Sequence, residues 1–163
     1  MSHHRRMLRK SEIKPLISEF EVFKREIDFD DRKTKMEIIE TGDIPVFLFD
    51  GKPLLFKAES QLIPTLFFER YVSSAPRIVV DMGAIPHICN GADVMAPGVR
   101  AVEGAFSSGK IIVVVDETHK KPIAIGRALS DSVAIGKTTR GAVMKTLHYV
   151  GDAIYNASKS IQY

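Results

Sequence analysis

The chain has 163 residues, 26% of them charged and 45% hydrophobic, a balance that supports a folded core and argues against a disordered polar tract. At this length roughly 70% of the unfolded surface is buried on folding, enough for one large domain or two small ones. No apolar run approaches a membrane span and "MSHHRRMLRKSE" holds no apolar signal segment, so a cytoplasmic location without a membrane partner is expected. Cys89 is the single cysteine, which excludes an intrachain disulfide. "NAS" at 156–158 is an acceptor for glycosylation only in a compartment the chain is not expected to reach. The net charge of +3 is unevenly placed: residues 1–74 hold 13 Lys/Arg against 13 Asp/Glu, and residues 75–163 hold 10 against 7. Such an excess is compatible with an anionic partner and equally with a solvated face.

In chain order, Ser11 reads as an N-cap, followed by Ile13, Leu16, Ile17, Phe20 and Phe23 at helical spacing, with Pro15 early enough to cost no ladder bond. After the polar loop "DFDDRKTK", the runs "MEIIE", "IPVFLFD" and "KPLLFKAE" read as strands, the last two joined through Asp50-Gly51, a hairpin signal. "QLIPTLFFERYV" reads as a second short helix. The small, turn-prone "SSAP" at 73–76 marks a boundary, giving an N-terminal α+β module over 1–74 and a second domain over 75–163. In that domain "RIVVD", "VRAVEG", "KIIVVVDE", "PIAIGRAL" and "GAVMKTLHYV" have the length and spacing of a small mixed β-barrel. "AIPHICNG" interrupts them as a helix of one or two turns, ended at Asn90-Gly91, and "GDAIYNASKSI" closes the domain as a helix. The fold class is α+β throughout.

His87 and Cys89, two apart in a helix, point to different sides, and a thiol in an apolar turn is ordinarily packing. Those two residues do not have zinc-site spacing, and His3, His4, His119 and His148 lie in scattered contexts, so no metal and no cofactor are expected. "IGKTT" at 135–139 imitates the end of a phosphate-binding loop, yet Asp131 stands where that loop needs its first glycine. Acidic residues form no paired-carboxylate pattern, and no catalytic residue is assigned. Gly83, Gly91 and Pro97-Gly98 instead read as positions of positive φ or close backbone approach, turning the chain around a ligand or merely making turns. Arg77, Arg100, Arg127, Lys137, Arg140 and Lys145 supply phosphate-seeking charge, with His87, Tyr149 and Tyr155 as stacking planes.

"VVDMGAIPHICNGADVMAPGV", "PIAIGRAL" and "LHYVGD", in that order, resemble the PUA domain of pseudouridine synthases and archaeosine transglycosylases over residues 75–153. "LRKSEIKPLI" and "LIPTLFFERY" further resemble the N-terminal module of PUA proteins related to malignant T-cell-amplified sequence proteins. The resemblance implies a pseudo-barrel with short helices that binds structured RNA, tRNA or rRNA, in a groove made by the first short helix, the strand after it and the last strand. By position that groove includes Gly83, Ala84, His87, Gly91, Ala92, Asp93, Val94, Met95, Pro97, Gly98 and Val99. Arg100, Arg127, Arg140 and Lys145 are added to the RNA-binding set on charge alone. The resemblance also implies a translation role at the small ribosomal subunit, with a translation-factor partner and no DNA. An accessory subunit of an RNA-modifying enzyme is the alternative, and an enzyme of small-molecule metabolism ranks behind both. The N-terminal module lacks the catalytic-aspartate motif of the synthases, so the chain is not expected to be an enzyme.

Overall fold

The structure, a computed structural model, describes residues 4–162; His3, weighed above as a metal ligand, lies outside them. The chain divides into two compact units, residues 1–71 with 153–163, and residues 72–152. The first unit is one antiparallel sheet in the order β1 (His4–Met7), β2 (Met36–Thr41), β3 (Ile44–Phe49), β4 (Lys52–Ala58), β5 (Gln61–Pro64). The β3–β4 turn is the expected hairpin, with Asp50 at φ 52° and Gly51 at φ 82°, the paired left-handed geometry that matches strand twist. Helix α1 (Lys10–Phe20) lays Ile13, Leu16, Ile17 and Phe20 on a core with Met36, Ile38, Phe47, Phe49 and Leu55. Phe23 joins that core from a 3-10 turn, before a single helical turn, α2 (Lys24–Ile27).

Three expectations for this unit are corrected. The N-cap is Arg9, because the Glu12 carboxylate reaches back to accept from the Arg9 amide at 3.1 Å; Ser11 sits inside the first turn. With the helix starting at Lys10, Pro15 falls past the first turn and leaves the Ser11 carbonyl without its ladder donor. The "QLIP" segment is strand, not helix: Glu59 and Ser60, both at positive φ, turn the chain so that Gln61 pairs with Ala58, and only Glu69–Val72 is helical, as α3.

The closing helix α6 (Ala153–Gln162) belongs to this unit, whereas the sequence reading assigned it to the second domain. It lies against β2, β3 and β4, with Ile154, Ala157 and Ser158 buried. Tyr155 stacks on Phe67 at 5.1 Å between ring centroids, so its ring is committed to packing and is no plane for a base.

The second unit is a six-stranded mixed sheet in the order β7 (Val94–Met95), β11 (Ala142–Tyr149), β10 (Pro122–Ala128), β9 (Ile111–Asp116), β6 (Arg77–Val80), β8 (Val99–Glu103). Strand β6 runs parallel to β9 and antiparallel to β8. The two ends of the sheet, β7 and β8, are consecutive in the chain and joined by a 3-10 turn at Ala96–Gly98, so the sheet curls into the expected pseudo-barrel. Its interior is β-branched: Ile78, Val80, Ile112, Val114 and Ile123 pack with Met144. Helix α4 (Ile85–Ile88) follows β6, and α5 (Ser132–Lys137) precedes β11. Among the described residues no helix is long and apolar enough to cross a membrane.

Candidate nucleic-acid interface

The helical segment after β6 is fixed by Asp81. Its Oδ1 accepts from the Ala84 amide at 2.8 Å, and its Oδ2 lies 3.3 Å from Nη2 of Arg100 on β8. Glu117 completes the clamp, accepting from the Met82 amide at 3.0 Å and facing Nε of Arg100 at 3.8 Å. Arg100 therefore braces the segment, and two carboxylates already face its guanidinium. Pro86 stands in the first turn of α4, Ile88 turns into the core, and His87 is exposed. Cys89 packs half-buried against the core, and burial pushes its thiol up from the usual range, away from the thiolate that reactive cysteines favour.

Beyond α4 the chain is laid along the edge of β11. Gly91 turns it at φ 93°, with the Tyr149 ring so close that a Cβ there would lie 3.5 Å from the hydroxyl. Tyr149 is thus a wall under Gly91. Thr146 donates its amide to Asp93 at 3.1 Å and its hydroxyl to the Ala92 carbonyl at 2.9 Å. Val94 then pairs with Met144 and Met95 with Ala142, and the Ala96 amide donates to Gly141 at 2.8 Å. The following turn folds back: Gly98 accepts from the Asp81 amide at 2.9 Å, and a Cβ on Gly98 would lie 3.1 Å from that of Ala84. Gly98 allows close approach without positive φ, and Gly83 has neither feature.

Gly83, Ala84 and His87 belong to the helical segment, Gly91, Ala92, Asp93, Val94 and Met95 to the stretch laid along β11, and Pro97, Gly98 and Val99 to the return turn. Val94 is the exception in orientation, its side chain buried while Met95 beside it is 50% exposed. Arg140 precedes Gly141 at the start of β11, and Lys145 lies exposed between the two residues that pair with Val94 and bond Asp93. Arg127 is one strand further in, opposite Lys145, with its guanidinium donating to the Gly109 carbonyl at 3.2 Å. Arg77 is half-buried and donates to the Val72 and Ala75 carbonyls at 2.7 and 3.2 Å. Met82, 48% exposed beside Gly83, escaped the sequence reading, for which it was one more apolar residue after a strand.

Electrostatically the second unit is asymmetric. Each of its carboxylates has a partner inside the unit: Asp81 and Glu117 in the clamp, Asp93 on Thr146, Glu103 on Lys120 at 3.1 Å, and Asp131 capping α5 through the Ala134 amide. Asp116 accepts from the His119 and Lys121 amides, which hold its carboxyl below the usual range, and Asp152 accepts from His148 and Tyr149. The side chains of Lys110, Lys121, Lys137 and Arg140, by contrast, have no hydrogen-bond or ion-pair partner among the described residues.

A curled mixed sheet with a short helix after its first strand and a glycine-shaped return turn defines a PUA-domain protein. Residues 76–150 match the family model of the PUA domain, and residues 4–72 match that of a domain of unknown function, DUF1947. An uncharacterized protein of Methanocaldococcus jannaschii is 40% identical over 93% of this chain and 95% of its own length. Translation machinery-associated protein 20 of Eremothecium gossypii is 32% identical over 78% of this chain and 75% of that protein. Malignant T-cell-amplified sequence 1-B of Xenopus laevis is 23% identical over 77% of this chain and 72% of its own. A PUA-domain crystal structure from Aeropyrum pernix superposes with a TM-score of 0.80 at 26% identity, covering 97% of this chain and 92% of that one. The chain belongs to the family of PUA-domain proteins that includes translation machinery-associated protein 20.

Proposed function

We propose that the chain is a binding protein for structured RNA, tRNA or rRNA, acting in translation, and that the face from Gly83 to Val99, with Arg140 and Lys145 along β11, is the contact surface. The observation that carries this reading is the charge asymmetry: the second unit satisfies its carboxylates internally and leaves Lys110, Lys121, Lys137 and Arg140 without a partner among the described residues, open to an anion from outside. The exposed imidazole of His87 gives the face a ring that can stack on a base, and the exposed Met95 side chain an apolar group that can pack against one. Arg100 contributes by holding the helical segment in place. Family membership, with a relative named for association with the translation machinery, supports the context, and the small ribosomal subunit is the assembly this reading assigns to the protein.

Titration of labelled tRNA at a series of salt concentrations tests the reading. The logarithm of affinity should fall linearly with the logarithm of salt, and Arg140→Gln with Lys145→Gln should lower that slope by about two, one for each phosphate no longer neutralised. Absence of binding at low salt rejects it.

A further inference from the structure

Between α5 and β8 the second unit carries a cleft of about 610 Å³. Its lining includes Lys137, Arg100, whose guanidinium Asp81 and Glu117 already face, and the hydroxyl residues Ser132 and Thr138, which bond the Phe106 amide and the Ala134 carbonyl; no carboxylate belongs to the lining itself. Lys137 is the decisive group, since its ammonium has no partner among the described residues and there is no acid in the wall for it to meet. Beside it Gly136 stands inside α5 at ordinary helical φ, and a Cβ there would meet nothing within 4 Å. A glycine in a helix interior weakens the helix relative to alanine. Here neither backbone geometry nor crowding within the chain requires one. What glycine provides at this position is an open wall on the cleft side, where an outside group can reach the helix backbone.

This is the segment "IGKTT", which is not a phosphate-binding loop: Asp131 caps the helix and Thr138 ends it, its hydroxyl donating back to the Ala134 carbonyl at 2.7 Å. Its cation and its glycine nevertheless sit on one side of an acid-free cleft. The cleft shares Ala96, Val99 and Arg100 with the return turn and so continues the face at Gly83–Val99 around the end of the barrel. We propose that the cleft between α5 and β8 holds the sugar–phosphate backbone of a single RNA strand, with Lys137 on a phosphate and the strand passing over Gly136. The proposal rests on the RNA-binding reading and extends its footprint to a second surface. A cleft of about 610 Å³ has room for a few sugar–phosphate units of one strand.

The full chain, titrated by fluorescence anisotropy with a labelled oligouridylate and with labelled tRNA, decides it. Lys137→Gln should lower the salt slope by about one. Gly136→Leu, which fills the cleft from the helix, should weaken binding several-fold while its thermal midpoint equals or exceeds that of wild type. That opposition of binding and stability is what a merely structural glycine does not produce. Met95→Glu, on the Gly83–Val99 face, is the control. If wild type binds and Met95→Glu weakens binding while both cleft variants match wild type, the cleft proposal is overturned and the RNA-binding reading stands. If wild type binds neither RNA, both fall. Displacement of the oligouridylate by an acidic polypeptide at matched ionic strength, lost in Gly136→Leu, would assign the cleft to a protein and overturn the proposal as well.

Discussion

The imidazole Nδ1 of His148, fully buried at the end of β11, lies 2.9 Å from Oδ2 of Asp152, and the same oxygen accepts from the Tyr149 amide at 3.0 Å. An ionised carboxylate only accepts, so Nδ1 carries the proton. Asp152 thereby holds both His148 and the backbone of Tyr149, whose ring forms the wall under Gly91. Asp152→Ala leaves a buried donor unsatisfied, and a destabilisation of roughly 1–3 kcal/mol is expected in urea denaturation. Asp152→Asn, which keeps an acceptor, should cost less. Equal effects would show that the carboxylate acts through something other than these bonds.

Gly126 offers a sharper steric case. It sits at the register shift of β10 on β11, where a Cβ would collide with the Lys145 carbonyl and the Met144 side chain. Backbone cannot swing away as a flexible side chain can, so Gly126→Ala should cost about 3 kcal/mol or more. Gly136→Ala, in open space, should be neutral or stabilising by up to about 1 kcal/mol. A thermal-melt comparison of the two reads this directly; equal midpoints would refute the steric account.

What was legible in the sequence follows from how local each signal is. Strands β2 to β4 and β9 to β11 announce themselves by β-branched runs and turn residues, and α4 by Pro86 and Gly91. Strand β1 is exposed along its whole length and held by polar pairs, Arg5 on Glu37 at 2.7 Å and Arg6 on Glu12 at 2.8 Å, so no apolar alternation marks it. The placement of α6 was hidden because an apolar helical face does not say which sheet it covers. At the interface, the glycines and the return turn were readable, whereas the ion pairs of Arg100 with Asp81 and Glu117 join distant strands and could not be seen beforehand.

Cys89 tests the bystander assignment. Cys89→Ser places a hydroxyl against the core and should cost about 1 kcal/mol, with tRNA affinity unchanged. Weaker binding at unchanged stability would return the thiol to the functional surface.

The Arg6–Glu12 pair predicts a pH response in the first unit. Hydrogen bonding from Arg6, and then from the Arg9 amide, lowers the Glu12 carboxyl from 4.5 to about 2. Because the folded value lies below the ordinary one, the contribution is complete above the ordinary carboxylate range and disappears as pH falls toward about 2. Nuclear magnetic resonance titration of the Glu12 carboxyl carbon should give a midpoint near 2, moving up toward the ordinary range in Arg6→Gln but staying below it, because the Arg9 amide still donates. A wild-type midpoint already in that range would remove the clamp from the account of β1.

The placement of α6 leads to the last prediction. On the sheet of the first unit, Met36, Ile38, Phe47, Phe49 and Leu55 face the core under α1, and Ile39, Val46, Leu48, Phe56 and Ile63 are equally buried outside that cluster. Along β2 and β3 the two sets alternate, so they occupy opposite faces. Helix α6, which buries Ile154 and Ala157, lies against β2, β3 and β4, the strands that carry Ile39, Val46, Leu48 and Phe56. Ending the chain at Asp152 exposes side chains worth about 1.5–3 kcal/mol each when buried, a sum comparable with the roughly 5–15 kcal/mol that holds a small domain together. Hydrogen exchange on residues 1–152 should therefore show reduced protection across 36–64 while 77–149 remain protected, since the second unit keeps all its strands. The opposite pattern, with 77–149 deprotected, is what the sequence-based division at 75 expects and would return α6 to the second unit. Ser158 adds a milder probe of the same packing. Its hydroxyl is buried without a hydrogen-bond partner among the described residues, so Ser158→Ala should stabilise the first unit by about 1 kcal/mol, read as a rise in the urea midpoint of the full chain.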